Sequence, residues 1–166
     1  MIYRNLIVGS LALCASIAQA EEVYIEGSVE SRCTITTDTP GVYGNPTPYE
    51  LSTAPADGGV VPIVRFDVIT GDYYKAVVNH PDTFSSSPVL DDIVTWTGTV
   101  SVNEVSDPLM SDYDTNKVEY NNTTEFNLTV AGTTWFEIES SASYGYQTPF
   151  PAGNYTAAVE AECVAL

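Results

Sequence analysis

Few side chains in this sequence could do chemistry. There is one histidine, His80, followed by Pro81 in a stretch that reads as a turn. A Ser-His-Asp arrangement would need that imidazole placed and oriented by the fold, and no serine sits in a G-x-S-x-G turn. One histidine is also too few for the usual zinc sites, so His80 is expected to be a solvated turn residue. Carboxylates are plentiful, with 22 Asp and Glu against 5 Lys and Arg and a net charge of −17. A glycosidase needs only two, but abundance singles out no pair, and Asp67 alternates toward solvent. Asp112-x-Asp114-x-Asn116 has the oxygen donors and spacing with which a calcium loop opens. The EF-hand pattern then fails, with Lys117 where Gly is needed and Thr123 where a bidentate Glu belongs. A polar loop after Asp107-Pro108 is the preferred reading; a weaker calcium site joined by Asp107 or Glu119 is the alternative. Trp135, Tyr144 and Tyr146 are candidates for a sugar-stacking surface. No other cofactor is expected.

The cysteines read as structure rather than chemistry. Arg4 is followed by an apolar run from Leu6 to Ala15, too short to span a bilayer comfortably, and by Ala18-Gln19-Ala20, the small-x-small pattern that signal peptidase accepts. Residues 1–20 are therefore expected to be a secretory signal peptide, with the mature chain starting at Glu21 and no membrane span after cleavage. Cys14 leaves with the leader. In an oxidising compartment the remaining Cys33 and Cys163 read as one disulfide, tying the first strand to the last. The leader holds one cation and no acid, so the exported chain is more acidic still. Such a surface repels nucleic acid and anionic lipid.

The elements that would position these residues alternate with period two. Val64, Phe66 and Val68 alternate with Arg65 and Asp67. Val94, Trp96, Gly98, Val100 and Val102 alternate with threonines and a serine. Phe126 and Leu128, Phe136 and Ile138, and the run Tyr155 to Cys163 repeat the pattern, and Tyr73 to Asn79 reads as a further strand. These are half-buried strands. The expected core holds Phe66, Trp96, Val100, Phe126, Leu128, Phe136, Ile138, Tyr155 and Val159, with the cystine buried beside it. Turn signals such as Gly71-Asp72 and Asn121-Asn122 separate the strands. Thr37 to Gly59 and Pro81 to Asp92 read as long loops. Seven or eight strands at this length make an all-β, two-sheet sandwich the leading architecture, with a small barrel next.

The segment Glu21-Glu22-Val23-Tyr24-Ile25-Glu26-Gly27-Ser28-Val29-Glu30-Ser31-Arg32-Cys33 resembles the N-terminus of bacterial chaperone–usher fimbrial subunits, including the spore-coat-U-like archaic branch. Gly153-Asn154-Tyr155 and the alternation after it resemble their final strand. The resemblance implies an immunoglobulin-like β-sandwich of about seven strands, incomplete by itself and completed by a strand donated from a neighbouring copy. It divides the chain into leader 1–20, donor extension 21–31 and sandwich domain 32–166. Val23, Ile25 and Val29 would be the groove-filling residues and Gly27 the shallow one. It also implies export through the periplasm to an extracellular filament with a role in adhesion or biofilm. The implied partners are copies of the chain itself, a periplasmic chaperone and an outer-membrane usher. Beside this non-enzymatic reading stand a secreted sugar- or calcium-binding module and, last, a hydrolase using two carboxylates.

Overall fold

The computed structural model describes residues 27–166 apart from 29; the leader and Val23, Ile25 and Val29 lie outside these residues. Twelve strands follow in chain order: β1 (Cys33–Thr39), β2 (Gly44–Thr47), β3 (Glu50–Ser52), β4 (Ile63–Val68), β5 (Tyr74–Asn79), β6 (Phe84–Ser86), β7 (Val94–Val105), β8 (Val118–Tyr120), β9 (Thr123–Leu128), β10 (Gly132–Tyr144), β11 (Thr156–Ala157) and β12 (Glu160–Ala165). One helical turn, α1 (Tyr113–Asn116), and two 3-10 turns at Pro55–Asp57 and Pro108–Met110 lie between them. No helix among the described residues is long and apolar enough to cross a membrane.

The organising element is β10. Its 13 residues pair along almost their whole length with β7 on one side. On the other side its first half pairs with β4, which in turn pairs with β1. Its last residues pair with β3, and β3 with β2. A second antiparallel sheet, in the order β12-β5-β9-β8, lies over the lower half, meaning the Gly132 end of β10. Phe66, Phe136 and Ile138 from one sheet meet Ala76, Val78, Phe126 and Leu128 from the other, all but out of contact with water. The Phe126 and Phe136 rings lie 4.3 Å apart, and Phe66 stands edge-on to Phe136 at 5.3 Å. Burying each such side chain contributes about 1.5–3 kcal/mol, which is what fixes the inward register of the strands that carry them. The molecule is thus an all-β sandwich of antiparallel sheets.

Several expectations are corrected. The stretch Thr37 to Gly59 is not a loop throughout, because β2 and β3 extend the large sheet along the upper half of β10. That half reads Ser140-Ser141-Ala142-Ser143-Tyr144, whose inward residues before Tyr144 are the small Ser140 and Ala142, so its hydropathy hides a strand. Pro81 to Asp92 contains β6, paired with β11. Tyr155 to Cys163 is two strands, not one. The odd-numbered side chains keep their inward phase, but the backbone breaks at Ala158 and Val159 and passes from the β6 ribbon to the β5 edge. Phe66, Val100, Phe126, Leu128, Phe136 and Ile138 are buried as expected. Trp96, Tyr155 and Val159 are only half-buried. Trp96 and Tyr155 belong to a separate upper aromatic cluster around Phe84, at 4.6 and 5.1 Å from its ring, and Val159 packs on the edge of the main core.

Candidate functional site

Two strand edges lie together on one side of the sandwich. Cys33 in β1 is bonded to Cys163 in β12, with Cα atoms 6.2 Å apart, so the edge strand of one sheet is stapled to the edge strand of the other. The cystine is half-buried against the core rather than fully enclosed. Among the described residues, the outer edges of β1 and β12 have no strand partner. Hydrogen-bond parity shows which groups are left over. The Ile69 N–H donates to the Arg32 carbonyl at 3.0 Å, so even-numbered residues of β1 face β4 and Cys33, Ile35 and Thr37 turn their backbone groups outward. The Leu166 N–H donates to the Tyr73 carbonyl at 3.0 Å, which likewise turns Ala161 and Cys163 outward.

Above the staple the edges diverge, and a groove of about 600 Å³ opens between Thr37–Tyr43 and Gly153–Val159. Its floor is Leu51 and Val64, both buried, and Pro62, Tyr43, Tyr155 and Val159 form its walls. The Tyr43 hydroxyl is 2.9 Å from the Ser140 hydroxyl, and burial raises its pKa above the ordinary tyrosine value. The Tyr155 hydroxyl donates to the Pro151 carbonyl at 2.6 Å and is raised by burial too. Gly153 crosses directly over the Pro88 ring, where a Cβ would not fit. The groove offers apolar walls and unpaired main-chain groups and holds no ionisable acid or base on its floor.

The extension leaves from the opposite end of β1. Gly27, Ser28 and Glu30 are exposed and outside any strand, and a Cβ at Gly27 would meet nothing within 4 Å. The described part of the proposed donor segment therefore stands off its own domain. Val23, Ile25 and Val29 lie outside the described residues.

The other sequence candidates are not gathered into sites. Trp135 and Tyr144 are nine residues apart on β10, so they face opposite sides of the sheet about 30 Å from one another. Tyr144 is buried, and its hydroxyl accepts from the Asp91 and Asp92 N–H groups at 2.8 and 3.1 Å. Trp135 donates to Asp38 at 3.3 Å, and Tyr146 alone is fully exposed. No common sugar-stacking surface results. The calcium-like run forms α1 and its flanks. Asp112 accepts from the Asn116 side chain at 2.8 Å, Asp107 accepts from the Leu109 N–H at 2.9 Å, Glu119 pairs with Lys117 at 2.9 Å, and Asp114 points to the backbone of β7. Among the described residues no group of three His, Cys, Asp or Glu side chains is arranged to hold a metal. His80 is not a solvated turn residue. It is half-buried, and its ring lies over Gly98 of β7, where a Cβ would sit 2.6 Å from Cγ. A glycine inside an otherwise β-branched strand was the available signal for that close approach.

No protein-family model, curated protein or solved structure matches the chain. The groove and its two edges therefore carry the functional reading by themselves.

Proposed function

We propose that the protein is a structural subunit of an extracellular filament, exported through the periplasm and assembled by strand donation. Residues 23–29 of one copy lie in the groove of the next. The observation that carries this reading is the groove between the end of β1 and the Gly153–Val159 segment that leads into β12, next to the β1 edge that has no strand partner among the described residues. Val23, Ile25 and Val29 alternate at the spacing at which a strand presents one face. Inserted beside β1, they would cover Leu51, Val64 and Val159, and their main chain would pair with the outward groups of Ile35 and Thr37. Gly27 would pass the shallowest point. In this reading the immunoglobulin-like sandwich is complete only in the polymer. A subunit awaiting its neighbour exposes apolar surface and an open edge, which is the reason for a chaperone and an usher as partners, and adhesion or biofilm formation would be the filament's role.

Ile25→Asp tests it. A carboxylate in an apolar groove loses its hydration without a partner. Filaments seen by electron microscopy, and heat-resistant ladders on gels, should vanish while circular dichroism of the monomer is unchanged. Filaments of normal length from the Ile25→Asp chain would refute donation by this segment.

A further inference from the structure

The calcium-like run has a different task, visible at the edge of β7. This strand is 12 residues long and pairs only with β10 among the described residues. Even-numbered residues of β10 turn their backbone groups away from β7: the Ile138 N–H donates to Pro62, and Ser140 accepts from Thr53. Their β7 partners Trp96, Gly98, Val100 and Val102 therefore direct N–H and C=O groups to the open side. Val94 to Asn103 contains no charge and no proline, in a chain of net charge −17. A long, uncharged, Val- and Thr-rich edge is a template for pairing with another chain.

Two side chains stand on that edge. The Val102 N–H donates to both carboxylate oxygens of Asp114 at 3.1 Å, and Lys117 Nζ donates to the Val100 carbonyl at 2.8 Å. The turn that carries them is anchored. Tyr113 is buried and accepts from the Val130 N–H at 3.1 Å, Met110 is buried, and Asn116 is tied back to Asp112. We propose that α1 is an edge guard: Asp114 and Lys117 occupy the groups through which β7 would otherwise pair with β7 of a second copy. The strand is complementary to itself about a two-fold axis at Gly98. That axis sets Trp96 opposite Val100, sets Val94 opposite Val102, and continues both large sheets with their apolar faces on one side. The contact uses neither the groove nor residues 23–29, so it is independent of strand donation.

The test is made in the full Ile25→Asp chain, so that donation and edge pairing are read separately. Asp114→Ala with Lys117→Ala should convert a monomer to a species of twice the mass in light scattering, with the fraction rising with concentration. Adding Thr97→Glu and Thr99→Glu, which places like charges opposite one another in the two-fold pair, should restore the monomer. A double variant that keeps the native circular dichroism and stays monomeric at every concentration overturns the proposal, as does a dimer indifferent to the added glutamates. Should the double variant misfold, hydrogen exchange of the unaltered chain decides. The Val102 amide should exchange about tenfold or more slowly than those of Trp96 and Gly98, as a charge-assisted hydrogen bond requires. Equal rates overturn the guard.

Discussion

His80 and Gly98 show how a single residue can be read wrongly from its neighbours in sequence. A histidine beside a proline suggests solvent, yet here the ring fills the space that Gly98 leaves on β7. The His80 backbone is fixed on its other side by Asn122, whose carbonyl accepts the His80 N–H at 3.0 Å and whose side-chain amide donates to the His80 carbonyl at 3.1 Å. Gly98→Ala should therefore destabilise the fold by about 1–3 kcal/mol in urea unfolding. His80→Ala should relieve the ring's share of that cost in a double-mutant cycle, the Glu139 carbonyl, 2.9 Å from the added Cβ, keeping the rest; additive effects would mean that the ring and the glycine do not share the site. Lys75 and Glu125 give the pH prediction. Lys75 donates to Glu125 at 2.6 Å and Tyr120 donates to it at 2.8 Å, and these bonds, the Lys75 bond first, hold the Glu125 carboxyl below its ordinary range. A carboxyl that binds its proton less readily when folded adds stability above the unfolded value, about 4.3 for glutamate, and loses it as pH falls through the folded value. Asp67 behaves alike because Arg65 donates to it. Glu125→Gln should thus flatten part of the acid-side fall in Tm, and an unchanged profile would show that the pair adds nothing.

At the scale of elements, the strands were legible wherever their inward residues are large. The alternation around Phe66, Val100, Phe126 and Ile138 gave both strand and facing. It failed for the upper half of β10, where Ser140 and Ala142 are the inward residues between Ile138 and Tyr144, and for β2 and β3, which at four and three residues are too short to show a period. It also ran β11 and β12 together, since a chain can change sheets without losing its side-chain phase. The groove arises at these blind places, between the end of β1 and the break at Ala158–Val159, so no run of sequence announces it. In the proposed assembly, donor and acceptor can be separated experimentally. Val159→Asp alters the groove wall and leaves residues 23–29 intact, while Ile25→Asp alters the donor alone. Neither chain should form filaments by itself. Their mixture should yield pairs and no longer species, because only one productive junction remains. Long polymers from the Val159→Asp chain would place the donated strand elsewhere.

For the whole molecule, one bond closes most of the chain. Cys33 and Cys163 are 130 residues apart, and cross-linking a loop of that size restricts the unfolded chain by about 5 kcal/mol in the chain-entropy description. Replacing both with serine should lower stability by an amount of that order in urea unfolding. A loss well under 2 kcal/mol would mean that the sheets hold the two edges together without the bond. The same replacement should loosen the groove, because the staple holds β1 beside β12, which continues the Gly153–Val159 wall; in the proposed assembly, polymer yield should fall further than stability alone explains.

The sequence by itself determined the class of fold, the pairing of the two cysteines and the inward face of the principal strands. Each follows from local period, from composition, or from there being only one partner to choose. Tertiary structure alone decided that β1 and β12 lie side by side with outer edges that have no strand partner among the described residues, that Trp135 and Tyr144 face opposite ways, and that Asp114 and Lys117 stand on the edge of β7. Those arrangements depend on which strands neighbour one another, and neighbours are chosen by how large side chains fill a shared core across long stretches of chain. A period of two tells a strand which face to bury and says nothing about the strand beside it.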